Sequence, residues 1–226
     1  MAEAPPAELA GRLAAVHERL DRAAGGRPVT VVAVTKGLAP AAVAAARAAG
    51  LADLGENYAG ELLAKAAAAP GPARWHYLGA VQRRKVRDLA PVVGCWQSVD
   101  RLAAGLEIAR RAPGASVLVQ VTLTGPGRPG CPARAVPALV DQLRAAGLAV
   151  DGLMAVGDRH EPRPGFRGVA ALARELALPV VSMGMTDDFE VAVEEGSTMV
   201  RLGRVLFGPR PGPGDLRRYP RPEGGW

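Results

Sequence analysis

Short apolar runs and longer stretches of helical spacing alternate along almost the whole chain. Leu9, Leu13, Val16 and Leu20 recur at intervals of three and four, which predicts a helix over residues 7–24. Beyond it, strands are predicted at 29–34, 51–54, 74–78, 93–97, 116–121, 150–154, 179–182 and 199–202. Helical patterns fit between them at 40–49, 57–68, 82–90, 100–111, 133–146, 165–177 and 187–195. The strand segments are apolar at nearly every position rather than at alternate ones, as in a parallel sheet covered on both faces. Eight strands, each but the last followed by a helix, define an α/β class. That count favours a closed (β/α)8 barrel with an extra N-terminal helix over an open sheet. No boundary divides the pattern, so one domain over 1–226 is expected, ending in a Pro/Arg-rich tail over 209–226.

Composition narrows the choice of function. With 49% hydrophobic and 22% charged residues, the chain resembles a globular protein able to bury a core. Charges and prolines break every apolar run well short of a membrane span, and the acidic start "MAEAPPAELAGRL" lacks a signal core. A cytoplasmic location with no membrane partner is the expectation. Cys95 and Cys131 are too few and too far apart for a metal or disulfide framework, so both are read as reduced thiols. The net charge of +6 raises the question of nucleic acid. Its arginines are scattered, however, and no helix-turn-helix, zinc-finger or aromatic-rich RNA signature accompanies them. Nucleic acid is therefore not an expected partner.

In a barrel of this kind the active site lies at the C-terminal ends of the strands. That rim collects the rare polar residues of the chain: Lys36, "GEN" (55–57), "LGA" (78–80), "QSVD" (97–100), "SMGM" (182–185) and "RLGR" (201–204). Phosphate commonly sits on the loops after strands seven and eight. There Ser182 offers a hydroxyl, Gly184 and Gly203 allow close backbone approach, and Arg201 adds a fixed charge. A partly desolvated lysine has a lowered pKa and can form a Schiff base with a carbonyl. Lysine and phosphate site together suit pyridoxal 5′-phosphate, which carries both an aldehyde and a phosphate. The competing reading is that Lys36 snorkels from the strand end or pairs with Glu56. His17 and His160 read as surface residues, Asp187 and Asp188 as helix caps, Met183 and Met185 as packing, and Trp75 as core.

The motifs "VAVTK" (32–36), "LGENY" (54–58), "WHYLGAVQRRK" (75–85), "QSVD" (97–100), "GLM" (152–154), "SMGMTDDFEVAVEEGSTMVRLG" (182–203) and "FGPR" (207–210) run in order along the chain. With them the sequence resembles, over nearly its whole length, the YggS/PROSC family of pyridoxal phosphate homeostasis proteins, built on the alanine-racemase N-terminal barrel. The resemblance implies a fold type III pyridoxal-phosphate barrel. It makes Lys36 the Schiff-base lysine, sets Asn57 beside the pyridine ring and makes His76 a pocket-lining residue. Ser182, Met183 and Gly184 would form the phosphate loop with Gly203, and Arg201 would lie near the pyridine nitrogen. An arginine there disfavours a protonated ring and weakens it as an electron sink. The chain departs from the family at Ala80, Arg84, Thr122 and Arg204, and in the "GPGRPGCP" loop. A racemase of this kind needs a second base from a further β-domain, and the tail offers Tyr219 without such a pattern. The resemblance thus implies a monomeric binding protein without turnover, holding pyridoxal phosphate and buffering it or handing it to apo-enzymes. The alternative is a racemase-like enzyme.

Overall fold

The computed structural model describes residues 6–123 and 129–209. The chain begins with α1 (Pro6–Ala24), β1 (Thr30–Val34), α2 (Ala41–Ala48), β2 (Asp53–Glu56), α3 (Ala59–Ala68) and β3 (Arg74–Tyr77). It continues through α4 (Arg83–Leu89), β4 (Val93–Val99), α5 (Leu102–Arg111) and β5 (Ser116–Val121). A 3-10 turn, Ala133–Ala135, leads into α6 (Val136–Ala145), then β6 (Ala149–Ala155), α7 (Pro162–Glu175) and β7 (Val180–Ser182). The last elements are α8 (Phe189–Glu194), β8 (Met199–Leu202) and α9 (Arg204–Phe207). All eight strands pair in parallel and in sequence order, and the barrel closes where Val32 and Ala33 of β1 meet Arg201 and Leu202 of β8.

The hydrophobic core lies mainly outside the strands. Val31, Ala33, Leu54, Trp75, Trp96, Val117, Leu153 and Val200 turn outward and are buried beneath the helices in one continuous cluster. Each helix supplies an apolar face to it, as Val43 and Ala46 do from α2 and Phe166, Val169 and Ala173 from α7. The barrel interior differs: among the described residues Cys95, Leu118 and Met154 form a small apolar cluster apart from the main core, with Val180 packed against it. Barrel interiors of this class are usually filled with branched aliphatic side chains. Here His76, Gln97, Gln120, Ser182 and Arg201 are buried instead.

The α1 helix covers the seam between the first and last strands. The Arg19 guanidinium donates to both carboxylate oxygens of Glu190 on α8, at 3.0 and 2.6 Å, and lies 4.5 Å above the ring of Phe189. Arg12 reaches the carbonyl of Leu206 on α9 at 3.3 Å. Among the described residues no helix is long and apolar enough to cross a membrane.

The predicted closed barrel of eight strands is present, with four local differences. The second strand runs over Asp53–Glu56 rather than 51–54, because Gly55 pairs with both Val34 and His76 and carries the strand past the apolar run. The fourth extends to Val99, so Gln97 and Ser98 are buried strand residues rather than rim residues. The seventh helix starts early, at Pro162, since proline fits a first turn that needs no amide donor. The short α9 was not expected. Of the tail, residues 210–226, including Tyr219, lie outside the described residues, as do 124–128 of the "GPGRPGCP" loop.

Candidate functional site

Lys36 is half-buried two residues beyond the last residue of β1, in a turn that Gly37 makes at φ 74°. The peptide groups on both sides of it are held by α3. Lys65 donates to the carbonyl of Thr35 at 2.7 Å, to Glu56 Oε1 at 2.6 Å and to Glu61 Oε2 at 3.0 Å, which uses all three ammonium protons. Glu61 Oε2 also accepts the N–H of Gly37 at 2.7 Å, and the Thr35 hydroxyl donates to Glu56 Oε1 at 2.6 Å. Lys65 and Glu56 are 3% and 0% exposed, so this ion pair sits within the protein. Burial pushes the Glu56 carboxyl above the usual carboxylate range, against the pull of Lys65. Its Oε2 has no hydrogen-bond partner among the described residues. Glu56, the carboxylate that the sequence offered to Lys36, is thus engaged by Lys65 and Thr35.

Inside the barrel a second set of polar side chains is joined end to end. Arg201 donates to the Ser182 hydroxyl at 2.8 Å, Ser182 donates to Gln97 Oε1 at 2.7 Å, and Gln97 Nε2 lies 2.7 Å from His76 Nδ1. His76 Nε2 in turn lies 2.7 Å from Asp53 Oδ1. Since the Gln97 amide nitrogen only donates, Nδ1 of His76 accepts and Nε2 carries the proton toward Asp53. Burial lowers the His76 pKa against the pull of Asp53, which agrees with this neutral tautomer. The donors all point one way, from Arg201 on β8 through β7, β4 and β3 to Asp53 on β2. Arg201 is 5% exposed and gives its remaining hydrogen bonds to the carbonyls of Ser182 and Ala155, at 2.7 and 2.8 Å. Burial brings its pKa down to about 10, opposed by Asp188, so it stays a cation at neutral pH. Among the described residues no carboxylate lies within ion-pair distance of it.

The predicted site residues therefore fall into two groups. Ser182, His76 and Arg201 are linked within the barrel, below the rim. The Met183 side chain is fully buried in the outer core, and its N–H bonds the carbonyl of Met199 at 3.1 Å. Asn57, Gly184 and Gly203 stand at the strand ends. Gly184 has φ 93°, and an added Cβ would lie 2.8 Å from Ala192 Cβ and Phe189 Cα, so close packing of α8 already requires glycine there. Gly79 is required for a similar reason: its missing Cβ would sit 1.9 Å from the carbonyl oxygen of Asn57. Sequence reasoning missed the parts played by Lys65, Glu61, Gln97 and Asp53. A signal existed for Lys65, which lies three residues after buried Leu62 and four after Glu61 on the inner face of α3.

The closed parallel barrel, with a lysine at the end of β1 and a buried arginine on β8, defines a barrel of the alanine-racemase class. Residues 11–211 match the alanine racemase N-terminal domain. A Pseudomonas aeruginosa pyridoxal phosphate homeostasis protein is 38% identical over 219 residues, covering 90% of this chain and 95% of its own. A protein of unknown function from Bifidobacterium adolescentis superposes with a TM-score of 0.83 at 29% identity, covering 89% of this chain and 95% of its own. PipY of Synechococcus elongatus, solved with PLP bound, gives 0.78 at 29% identity, covering 88% of this chain and all of its own. The chain belongs to the family of pyridoxal phosphate homeostasis proteins.

Proposed function

We propose that this chain binds pyridoxal 5′-phosphate at the C-terminal rim of the barrel, holds it on Lys36, and keeps it available within the cell as a pyridoxal phosphate homeostasis protein. The observation that carries the reading is a lysine held at the end of β1 beside β8, whose buried cation Arg201 has no carboxylate within ion-pair distance among the described residues. The naming of the Pseudomonas relative and the PLP bound to PipY support it.

The residues present fit such a group. Pyridoxal phosphate supplies an aldehyde that a lysine amine can capture and a ring that withdraws electrons. Lys36 supplies the amine, and its condensation with the aldehyde releases one water. Arg201, charged and rigidly bonded to Ser182 and Ala155, offers a positive charge rather than a proton acceptor to the ring nitrogen. Since the Ser182 hydroxyl and Met183 amide are engaged, the rim amides of Gly184 and Gly203 are the phosphate donors in this reading. Asn57, whose carbonyl abuts Gly79, lines the ring, while His76 acts through Gln97 from below.

The same reading gives a single barrel domain, a cytoplasmic monomer, and transfer of the bound cofactor to apo-enzymes without turnover of amino acids. Lys36 is the one base assigned to the site, and racemisation needs a second on the opposite face of the substrate carbon.

The test is to incubate the purified protein with pyridoxal phosphate, reduce with borohydride and map the label. Labelling on Lys36 supports the reading; labelling on Lys65 or Lys85 overturns it. Solvent deuterium incorporation at the α-carbon of alanine, at about one turnover per second or faster, would establish an enzyme instead.

A further inference from the structure

Lys65 and Glu61 have no place in the binding reading, yet Lys65 forms a buried ion pair with Glu56 and a second, partly exposed one with Glu61. A lysine in the middle of a surface helix normally extends to water. Lys65 is instead 3% exposed, with three acceptors at 2.7, 2.6 and 3.0 Å. A buried pair of this kind is rarely more stabilising than apolar side chains of similar volume, so stability alone does not account for it. What these bonds have in common is that they converge on the neighbours of Lys36. Thr35 and Gly37 flank Lys36, and each has a backbone group bonded to α3: the Thr35 carbonyl to Lys65, the Gly37 amide to Glu61. Glu56 completes the set by taking the Thr35 hydroxyl. The Thr35 amide is tied to the carbonyl of Gly55 at 3.1 Å, so residue 35 is fixed at its amide, hydroxyl and carbonyl.

Residue 36 therefore sits between two anchored peptide groups. A free turn after a strand end samples several backbone states, each carrying the amine to a different place. Clamped on both sides, the turn presents the amine from one origin. We propose that Lys65, Glu61 and Glu56 are positioning residues that fix the backbone of Lys36 so that its amine meets the aldehyde carbon of pyridoxal phosphate. This rests on the binding reading above, and adds to it the residues on α3 that set the geometry of capture.

The test compares two ligands. Pyridoxal 5′-phosphate can condense with Lys36, whereas pyridoxine 5′-phosphate carries an alcohol at the same carbon and can only bind reversibly. Glu61→Ala removes the bond to Gly37 at a side chain that is already 24% exposed, so the fold should survive. The expected result is pyridoxine phosphate affinity within about twofold of wild type. Borohydride trapping on Lys36 should slow by about ten- to a hundredfold, the usual penalty for misplacing a reacting group by an ångström or less. Glu61→Gln, which keeps an acceptor for Gly37, should recover most of the trapping rate. Amide hydrogen exchange of Gly37 in cofactor-free protein should quicken in Glu61→Ala and return toward wild type in Glu61→Gln.

Lys65→Met is the stronger variant, and it should show the same split between ligands wherever it folds. Equal loss of both ligands in Glu61→Ala, or trapping at the wild-type rate, would overturn the positioning role. Wild-type protein that traps nothing on Lys36 would instead overturn the binding reading and, with it, the purpose assigned to the clamp.

Discussion

Replacing Gln97 with leucine tests whether the polar chain inside the barrel is a connected network or a set of separate contacts. The change keeps a side chain of similar bulk, branched and slightly shorter in reach, and removes the two bonds that join His76 to Ser182. His76 Nδ1 loses its donor and the Ser182 hydroxyl its acceptor, with both residues 0% exposed. Each buried polar group left unpaired costs about 1–3 kcal/mol, so the pair costs about 2–6 kcal/mol. Leucine avoids burying an amide and returns about 1–2 kcal/mol of that. At mid-range a net loss of about 2.5 kcal/mol follows, equivalent to a melting point lower by about 5–10 °C in a chain of this size. Urea unfolding followed by circular dichroism measures it directly. A double-mutant cycle with His76→Phe gives the sharper reading. Once the imidazole is gone, its orphaned nitrogen no longer contributes, so the double variant should be more stable than the summed single costs by about 1–2 kcal/mol. A Gln97→Leu cost under about 1 kcal/mol, or simple additivity with His76→Phe, would refute the connected chain.

Three further outcomes can be checked on the same preparations. His76 titrates below its unfolded value, so the unfolded state binds more protons beneath the ordinary histidine pKa. Folding stability should therefore be intact above about pH 6.5, decline as pH falls through that value, and lose this component in His76→Phe. Cys95 is buried, with its thiol pushed up to about 11, and Cys131 is buried and also raised, so both should resist alkylation at pH 8 until urea unfolds the protein. Gly184→Ala places a Cβ at φ 93° against Phe189 and Ala192, and should cost about 1–3 kcal/mol whether or not ligand is present. Thermal melts with and without pyridoxal phosphate separate that effect from binding.

The architecture was legible because the chain repeats one pattern: an apolar strand, a polar turn, an amphipathic helix. Lys36 stood out as a lysine at the end of an apolar run, and Ser182 and Arg201 as polar residues among aliphatic ones. The bonds among them were not legible. Which of Gln97 and Ser98 faces the barrel axis depends on an irregularity in β4 between Trp96 and Val99, and strand periodicity does not locate it. Asp53 lies inside the second strand both as predicted and as found, but its partner His76 is on the next strand, and alternation along one short strand does not name a partner on another. Lys65 carries no motif that marks its role. Its helix position suggested burial, but the carbonyl it bonds lies thirty residues earlier in the chain, beyond the reach of any local pattern.

The seam beneath α1 has a consequence for how the protein is made. During synthesis β1 leaves the ribosome well before its partner β8, with six other strands made between them. Until Met199–Leu202 emerges, β1 and β7 each present an open strand edge, the surface most prone to mispairing. The helix that will shield the join waits for Glu190, Phe189 and Leu206, all late arrivals. Arg201, on which the interior polar chain begins, comes with that final strand. The nascent chain thus carries Lys36 through the synthesis of six further strands without a finished barrel around it, and competence to hold a ligand arrives in one step with the eighth.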